Sequence, residues 1–544
     1  MESSLPEPAG FGALEHEVVD HLFRLQPSYA VMLGLHEYDG QLPDLSVPAT
    51  DAWSTAADRL LARLRAIDDR AFANGRAIDR FLLELLLESP LFDLREGRDY
   101  DRNPMSYLGS ASLTSYLVRD YAPAAHRIDA IVRTLDGVPG LLATARRRLV
   151  LPLPKPFVDL SLAMGSGLPT HFGEAEAFAA ASGLGGKVAE ARAPAEAAVR
   201  EFLSWLKNDC LPRATPDFAL GAARYQRLLF VREGIRSSID ELERAGRADL
   251  ARNQARLATI AQEDRATIPE LLERLSHDHP AATEILPVAR EFVEETRRFV
   301  VDRDLATIPE PSRCRVEETP IWSRALSTAS MNPPGPFDTG PTDGIYYVTP
   351  VDANWSATQQ EEWLRSLNRS LLRNITVHEV YPGHYLQFLH LRERPGSLAR
   401  KVYLSPSFCE GWAHYAEQLA IEQGLGRESH AAEVAQIHDA LLRDCRLLAS
   451  IGLHTKGMTL EEATRLFVDE AHFERLPAER EAIRGTFNPE YFCYTLGKLA
   501  ILSARQRYLG PRFAGSLRRF HDALLGFGCP PIGLFDRLLG SISG

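Results

Sequence analysis

Residues 407–421 read SFCEGWAHYAEQLAI. Phe408, Trp412, Ala413, Ala416, Leu419 and Ala420 make the stretch apolar on nearly every side, which predicts a buried helix in a helical protein. Glu410, His414 and Glu417 interrupt it at offsets of four and seven, so all three share one face. Two carboxylates and an imidazole inside an apolar helix are costly unless they are paired or hold a metal. Two readings are open: a buried Glu–His salt bridge, or part of a metal site.

A second stretch lies upstream. TVHEVYPGHYLQ (376–387) sets His378 and His384 six residues apart, with Glu379 after the first. Zinc catalysis needs three protein ligands and an open position. On a regular helix two histidines four apart share a face. Six residues at about 100° each do not. Pro382 removes a backbone donor, and Gly383 tolerates unusual dihedrals. The pair either bulges the helix and returns His384 to the face of His378, or simply ends the helix and leaves His384 in water. Glu410 follows His384 by 26 residues, a natural separation for a helix, a turn and a returning helix. That makes His378, His384 and Glu410 a candidate zinc set. A third stretch, RGTFNPEYFCYTLGKLAILSAR (484–505), offers Tyr491, Tyr494 and Lys498 as donors to an oxyanion. For Tyr491 and Phe492 an aromatic core stripe is the better reading.

The rest of the chain is dominated by helical periodicity. Residues 16–25, 51–67, 79–94, 193–209, 269–278 and 288–305 repeat apolar residues at helical spacing. Residues 307–343 break this rhythm with Pro, Gly and Asp and read as loop. The segment ends in GIYYVTP (344–350), the best strand candidate and a possible edge for an extended substrate. A soft boundary is expected there, between an N-terminal helical lobe, 1–306, and a catalytic helical lobe, 307–544. HEVVDH (16–21) lacks a Pro or Gly and reads as a polar helix face. SHDHP (276–280) reads as a solvated helix end.

Composition narrows the function classes. Across 544 residues the net charge is −12, which argues against a nucleic-acid footprint, since that needs a basic face. No run of about 18 apolar residues predicts a membrane span. The six cysteines contain no C-x-x-C pair and read as reduced thiols. MESSLPEPAGFGALEHE (1–17) lacks the basic start and apolar core of a signal peptide. A cytoplasmic location is the resulting expectation.

Together these motifs carry a family resemblance. HEVYPGHYLQ, EGWAHYAEQLA, YTLGKLAI and FHDALLGFGCPPIGLFDRLL (520–539) resemble the bacterial family known as domain of unknown function 885. PSYAVMLGLHEYDGQLPDLS (27–46), NPMSYL (103–108), VPGLLATARRRL (138–149) and GIYYVTP extend the resemblance over nearly the whole chain. The family is regarded as a relative of helical zinc metallopeptidases. The resemblance implies a mainly α fold: a two-lobed helical shell around a deep active-site groove, similar to angiotensin-converting enzyme and oligopeptidases, with a small β element near the site.

It also implies residue roles. His378, His384 and Glu410 would hold one zinc ion. Glu379 would be the general base, with Tyr494 and His454 as donors near the oxyanion or substrate. His414, Glu417, Tyr381, Tyr346, Tyr347, Arg484 and Lys498 complete the set expected around metal or substrate. This chain departs from the pattern at Ser450-Ile451, where Asp is expected before the TGLH motif. It departs again at NPEY (488–491), and at His414, where leucine is usual. The function expected is zinc-dependent hydrolysis of short peptides. A hydrolase of non-peptide amides or esters, or a non-catalytic binding protein, are the alternatives.

Overall fold

The computed structural model describes Pro8 and residues 10–542, apart from 73–75, 322–323, 325–326, 341–342 and 394–395. Residues 1–7 and 9 of the N-terminal stretch read for an export signal therefore lie outside the described residues. The chain is mainly helical with one small sheet, and no described helix is long and apolar enough to cross a membrane. It divides into two compact units, Met1–Leu220 with Gly335–Gly340, and Gly221–Pro334 with Pro341–Gly544. The division falls well before the boundary expected at 306/307. Residues 221–306 are helices that pack with the later part of the chain.

In the first unit α1 (Phe11–Leu25), α2 (Val47–Arg65) and α3 (Arg76–Arg95) pack on one another. So do α4 (Ala124–Arg148), α5 (Lys155–Ala180) and α6 (Gly185–Trp205). The periodicity read from sequence is the buried face: Ile128, Ile131, Leu135, Val138 and Leu142 line α4. HEVVDH is only half a polar face. His16 is exposed, but His21 is buried, stacks on Trp53 and bonds its carbonyl oxygen through Nε2 at 3.0 Å.

The second unit opens with α7 (Ala222–Glu233), α8 (Ile239–Glu263) and α9 (Ile285–Asp302). Between α8 and α9 a short helix ends at His277, which is exposed, while His279 is partly buried beside Glu361. The segment read as loop contains two strands that the sequence did not suggest, β1 (Cys314–Glu318) and β2 (Ala329–Asn332). CRVEE and ASMN hold few β-branched or aromatic residues. They become strands by pairing with the hydrophobic β3 (Gly344–Val348). The sheet order is β1-β3-β2, with β1 parallel and β2 antiparallel to β3. GIYYVTP is thus the central strand, hydrogen-bonded on both sides, and the expectation of a substrate-pairing edge there is corrected. The edge strands are β1 and β2.

The remaining helices are α10 (Arg369–Glu379), α11 (His384–Glu393), α12 (Pro406–Glu422), α13 (Ala431–Thr455), α14 (Arg475–Phe487) and α15 (Cys493–Phe513). α10 packs against α9, α12 and α13. Val377 of α10 joins Ala416 and Ala420 of α12 and Leu425 in one apolar cluster, with Phe299 of α9 against it. α12 and α15 cross with their backbones in contact: a Cβ on Gly497 would lie 1.8 Å from the Ser407 carbonyl oxygen. Only glycine permits this approach. It brings Tyr494, one turn before Gly497, alongside Glu410.

Candidate metal centre

The Pro-Gly pair ends a helix, and His384 still returns to His378. α10 stops at Glu379, residues 380–383 turn, and His384 opens α11. There is no bulge within one helix. The Tyr381–Pro382 peptide is cis. Gly383 presses against the end of α10, where a Cβ would lie 1.8 Å from the His378 carbonyl oxygen. Trp412 of α12 donates Nε1–H to the Pro382 carbonyl at 2.8 Å, tying the turn to the acidic helix.

This brings three donors together. Nε2 of His378 and Nε2 of His384 lie 3.4 and 3.5 Å from the same oxygen, Oε2 of Glu410. One ligand atom from each residue falls within 4.8 Å of the others. The two rings are nearly perpendicular, at 87°. Burial alone would push the Glu410 carboxyl up, but its contacts with His378 and His384 hold it well below the usual carboxylate range. For His378 burial favours the neutral ring, yet Glu410 and Glu417 raise it to about 10. The point between the imidazoles and Glu410 is one where positive charge is strongly favoured.

Behind the donors lies a second layer. His378 Nδ1 donates to Glu417 Oε1 at 2.6 Å, which leaves Nε2 free to face Glu410. The other oxygen of Glu417 accepts from His414 Nδ1 at 3.2 Å. Glu417 and His414 are fully buried. Burial favours a protonated Glu417, but Arg443 and the two histidines hold it well below its ordinary range. Glu379 is half-buried next to the cluster. Burial raises its carboxyl, offset in part by His378 and His384 and by a hydrogen bond from the Met331 backbone N–H of β2.

The other predicted residues divide. Tyr494 sits within electrostatic reach of Glu410, its hydroxyl pKa raised first by burial and then by that carboxylate. Tyr346 lies beneath α10 and meets Thr376 Oγ1 at 3.3 Å. Tyr347, on the opposite face of β3, and Tyr381, packed edge-on to Tyr385, are buried away from the donors. Arg484 is exposed and lies over the Tyr491 ring. Lys498 is buried and paired with Asp249 at 2.6 Å, its ammonium lowered to about 8 by burial. His454 is committed elsewhere: its Nε2 is 2.9 Å from the Gly485 carbonyl oxygen. It lies three turns beyond Arg443 on α13, about 16 Å along the axis.

Sequence reasoning missed Arg443 and the Met331 amide. Arg443 had a legible signal, since RDCR (443–446) sets three charges into an otherwise apolar stretch of α13. The amide had none, because a backbone donor leaves no trace in side-chain pattern.

No curated protein matches the chain. Solved structures that share its fold include two described as lipoproteins. One, described as a "putative lipoprotein of unknown function" from Shewanella oneidensis, has a TM-score of 0.81 at 24% identity, covering 97% of this chain and 99% of its own. The other, described as "the putative lipoprotein" from Colwellia psychrerythraea, has a TM-score of 0.81 at 18% identity, covering 97% of this chain and 98% of its own. At such identities the likeness is one of fold. The family described as "Bacterial protein of unknown function (DUF885)" matches residues 27–539, so the chain belongs to that family.

Proposed function

We propose that the chain is a zinc-dependent hydrolase of short peptides. The observation that carries this reading is the convergence of His378 Nε2, His384 Nε2 and Glu410 Oε2 from three different helices. Donors about 2 Å from one tetrahedral ion stand about 3.3 Å apart. The two separations to Glu410 Oε2, 3.4 and 3.5 Å, fit that spacing. Two imidazoles and one carboxylate are also the ligand types of catalytic zinc, with a fourth position left over.

A bound zinc ion would supply Lewis acidity, bringing the pKa of a water to about 7 and polarising a carbonyl. Glu379 takes the water proton and passes it to the leaving amine. Its raised pKa suits a group that must carry that proton between two steps. Tyr494 keeps its hydroxyl proton and donates a hydrogen bond to the developing oxyanion. The edge strand β2 runs beside Glu379 through the Met331 amide, which offers extended substrate a backbone to pair with. A two-lobed helical shell with the site in a groove, as the family resemblance implies, would exclude folded proteins and select short peptides. The sparse cysteines of the sequence, without a C-x-x-C pair, support the cytoplasm as the working compartment.

Elemental analysis of purified protein, joined to digestion of a mixed peptide library, tests the reading. About one zinc per chain is expected, with cleavage reduced about 100-fold or more in Glu379→Gln while zinc is retained. A zinc-free chain with no peptidase activity would leave a buried Glu–His ion-pair cluster and overturn the proposal. Zinc binding with hydrolysis of esters or non-peptide amides alone would move it to that reaction class.

A further inference from the structure

Arg443 reaches two parts of the site, the His378–Glu417 pair and the Tyr494 ring. Its side chain projects from α13 and is 10% exposed. One terminal nitrogen lies 3.0 Å from Glu417 Oε1 and 3.4 Å from His378 Nδ1. The guanidinium carbon lies 5.6 Å from the centre of the Tyr494 ring, within cation–π range. Nε and Nη1 have no hydrogen-bond partner among the described residues, and Asp439 Oδ2 stands 3.6 Å from Nη1. The group is thus held by Glu417 and the tyrosine face rather than by a closed network of its own. Arg446 differs: it makes a bidentate pair with Glu481 at 2.8 Å on each arm, besides lying 5.1 Å from Tyr494.

Charge gives the reason for such a group. Glu379, Glu410 and Glu417 carry three negative charges in a buried region. Arg443 is the cation nearest Glu417, and it also faces Asp439 at 3.6 Å. With Arg443 removed, Glu417 would be a desolvated carboxylate held only by imidazoles, which is costly. It would relax to a different rotamer, and His378 Nδ1 would lose the acceptor that orients its ring.

Resting on the zinc reading above, we propose that Arg443 is a positioning residue shared by the metal ligand His378 and by Tyr494: through Glu417 it sets the His378 ring, and through its planar face it seats the tyrosine. The two tasks differ in chemistry. Fixing Glu417 needs only positive charge, whereas covering the tyrosine ring also uses the breadth of the flat guanidinium, which an ammonium lacks.

The test compares Arg443→Met and Arg443→Lys with the unaltered chain. Zinc affinity is measured by chelator competition, and the visible spectrum of the cobalt-loaded protein reports ligand geometry. Initial rates are taken on a quenched-fluorescent peptide library. Arg443→Met is expected to lose 10–100-fold in zinc affinity, as for other supports of ligating histidines, and to shift the cobalt bands. Arg443→Lys is expected to keep zinc affinity and the cobalt spectrum while the zinc-saturated rate falls about 10-fold or more. If Arg443→Met does not fold, the lysine variant decides alone. Any pattern in that variant other than retained affinity with a reduced rate overturns the proposal. So does a methionine variant with unaltered affinity and spectrum. An unaltered chain that takes up no metal sinks the zinc reading itself, a result distinct from metal uptake that ignores Arg443.

Discussion

Gly383 shows how little room separates the two histidines. A Cβ there would stand 1.8 Å from the His378 carbonyl oxygen and 2.4 Å from that of Val377. Both atoms are backbone at the end of α10, so neither can swing aside. Gly383→Ala is therefore expected to cost about 1–3 kcal/mol through overpacking and to abolish stoichiometric zinc uptake by displacing His384. Thermal melts and metal analysis check this; a variant with normal melting and a full zinc complement would show that the turn is more tolerant than its contacts suggest. The residue types of the centre were plain from the sequence, because polar groups stand out in apolar helices. Their partners were less so. Glu417 shared the face of Glu410 and His414, but its bond to His378 spans 39 positions and depends on packing.

The short helix His36–Tyr38 belongs to the N-terminal motif singled out by the family resemblance, and its role is visible only at the level of elements. His36 stacks on Tyr121 at 3.5 Å and hydrogen-bonds Asp39 at 3.1 Å and Asp338 at 3.4 Å. Asp338 lies in the 335–340 segment, which joins the first unit although it falls between β2 and β3 in the chain. Phe337 N–H donates to the Leu33 carbonyl at 3.0 Å, completing the seat. Burial alone would lower the His36 imidazole, but the bonds to Asp338 and Asp39 raise it to about 9 from 6.5. Its folded-state pKa is thus above its unfolded value. The stability it contributes is fully present below about 6.5 and is lost as pH rises through about 9. The first unit should melt at lower temperature above that window, and His36→Ala should flatten the dependence. A pH profile unaltered by the substitution would count against this seat. The strand pairings had the opposite fate in the sequence: β3 was legible from its hydrophobic residues, while β1 and β2 were not, since their stability comes from β3 rather than from themselves.

For the whole molecule, two compact units with the proposed metal centre inside the second make a specific calorimetric prediction. A ligand that binds only the folded state stabilises it by about 2.7 kcal/mol at 100 times its dissociation constant. The centre lies wholly within Gly221–Pro334 and Pro341–Gly544. Adding a chelator should lower one of two unfolding transitions by roughly 5 °C and leave the other in place. One cooperative transition, moving as a whole or not at all, would contradict this division of stability.

The sequence by itself determined the helical class, the buried character of 407–421 and the residue types of the His378, His384 and Glu410 cluster. Each follows from local periodicity and from the cost of burying polar groups. It also determined that something interrupts the helix at Pro382-Gly383. Whether His384 then faced water or His378 was settled by tertiary structure alone. The reason is physical: the direction of the chain after the break is set by the Trp412 bond to the Pro382 carbonyl, by the packing of Val377 on α12, and by the backbone contact at Gly383. The same holds for Arg443 and His454, two charged or polar residues on one helix. Only the neighbours brought up by α10, α12 and α14 decide that the first supports the centre and the second bonds the Gly485 carbonyl.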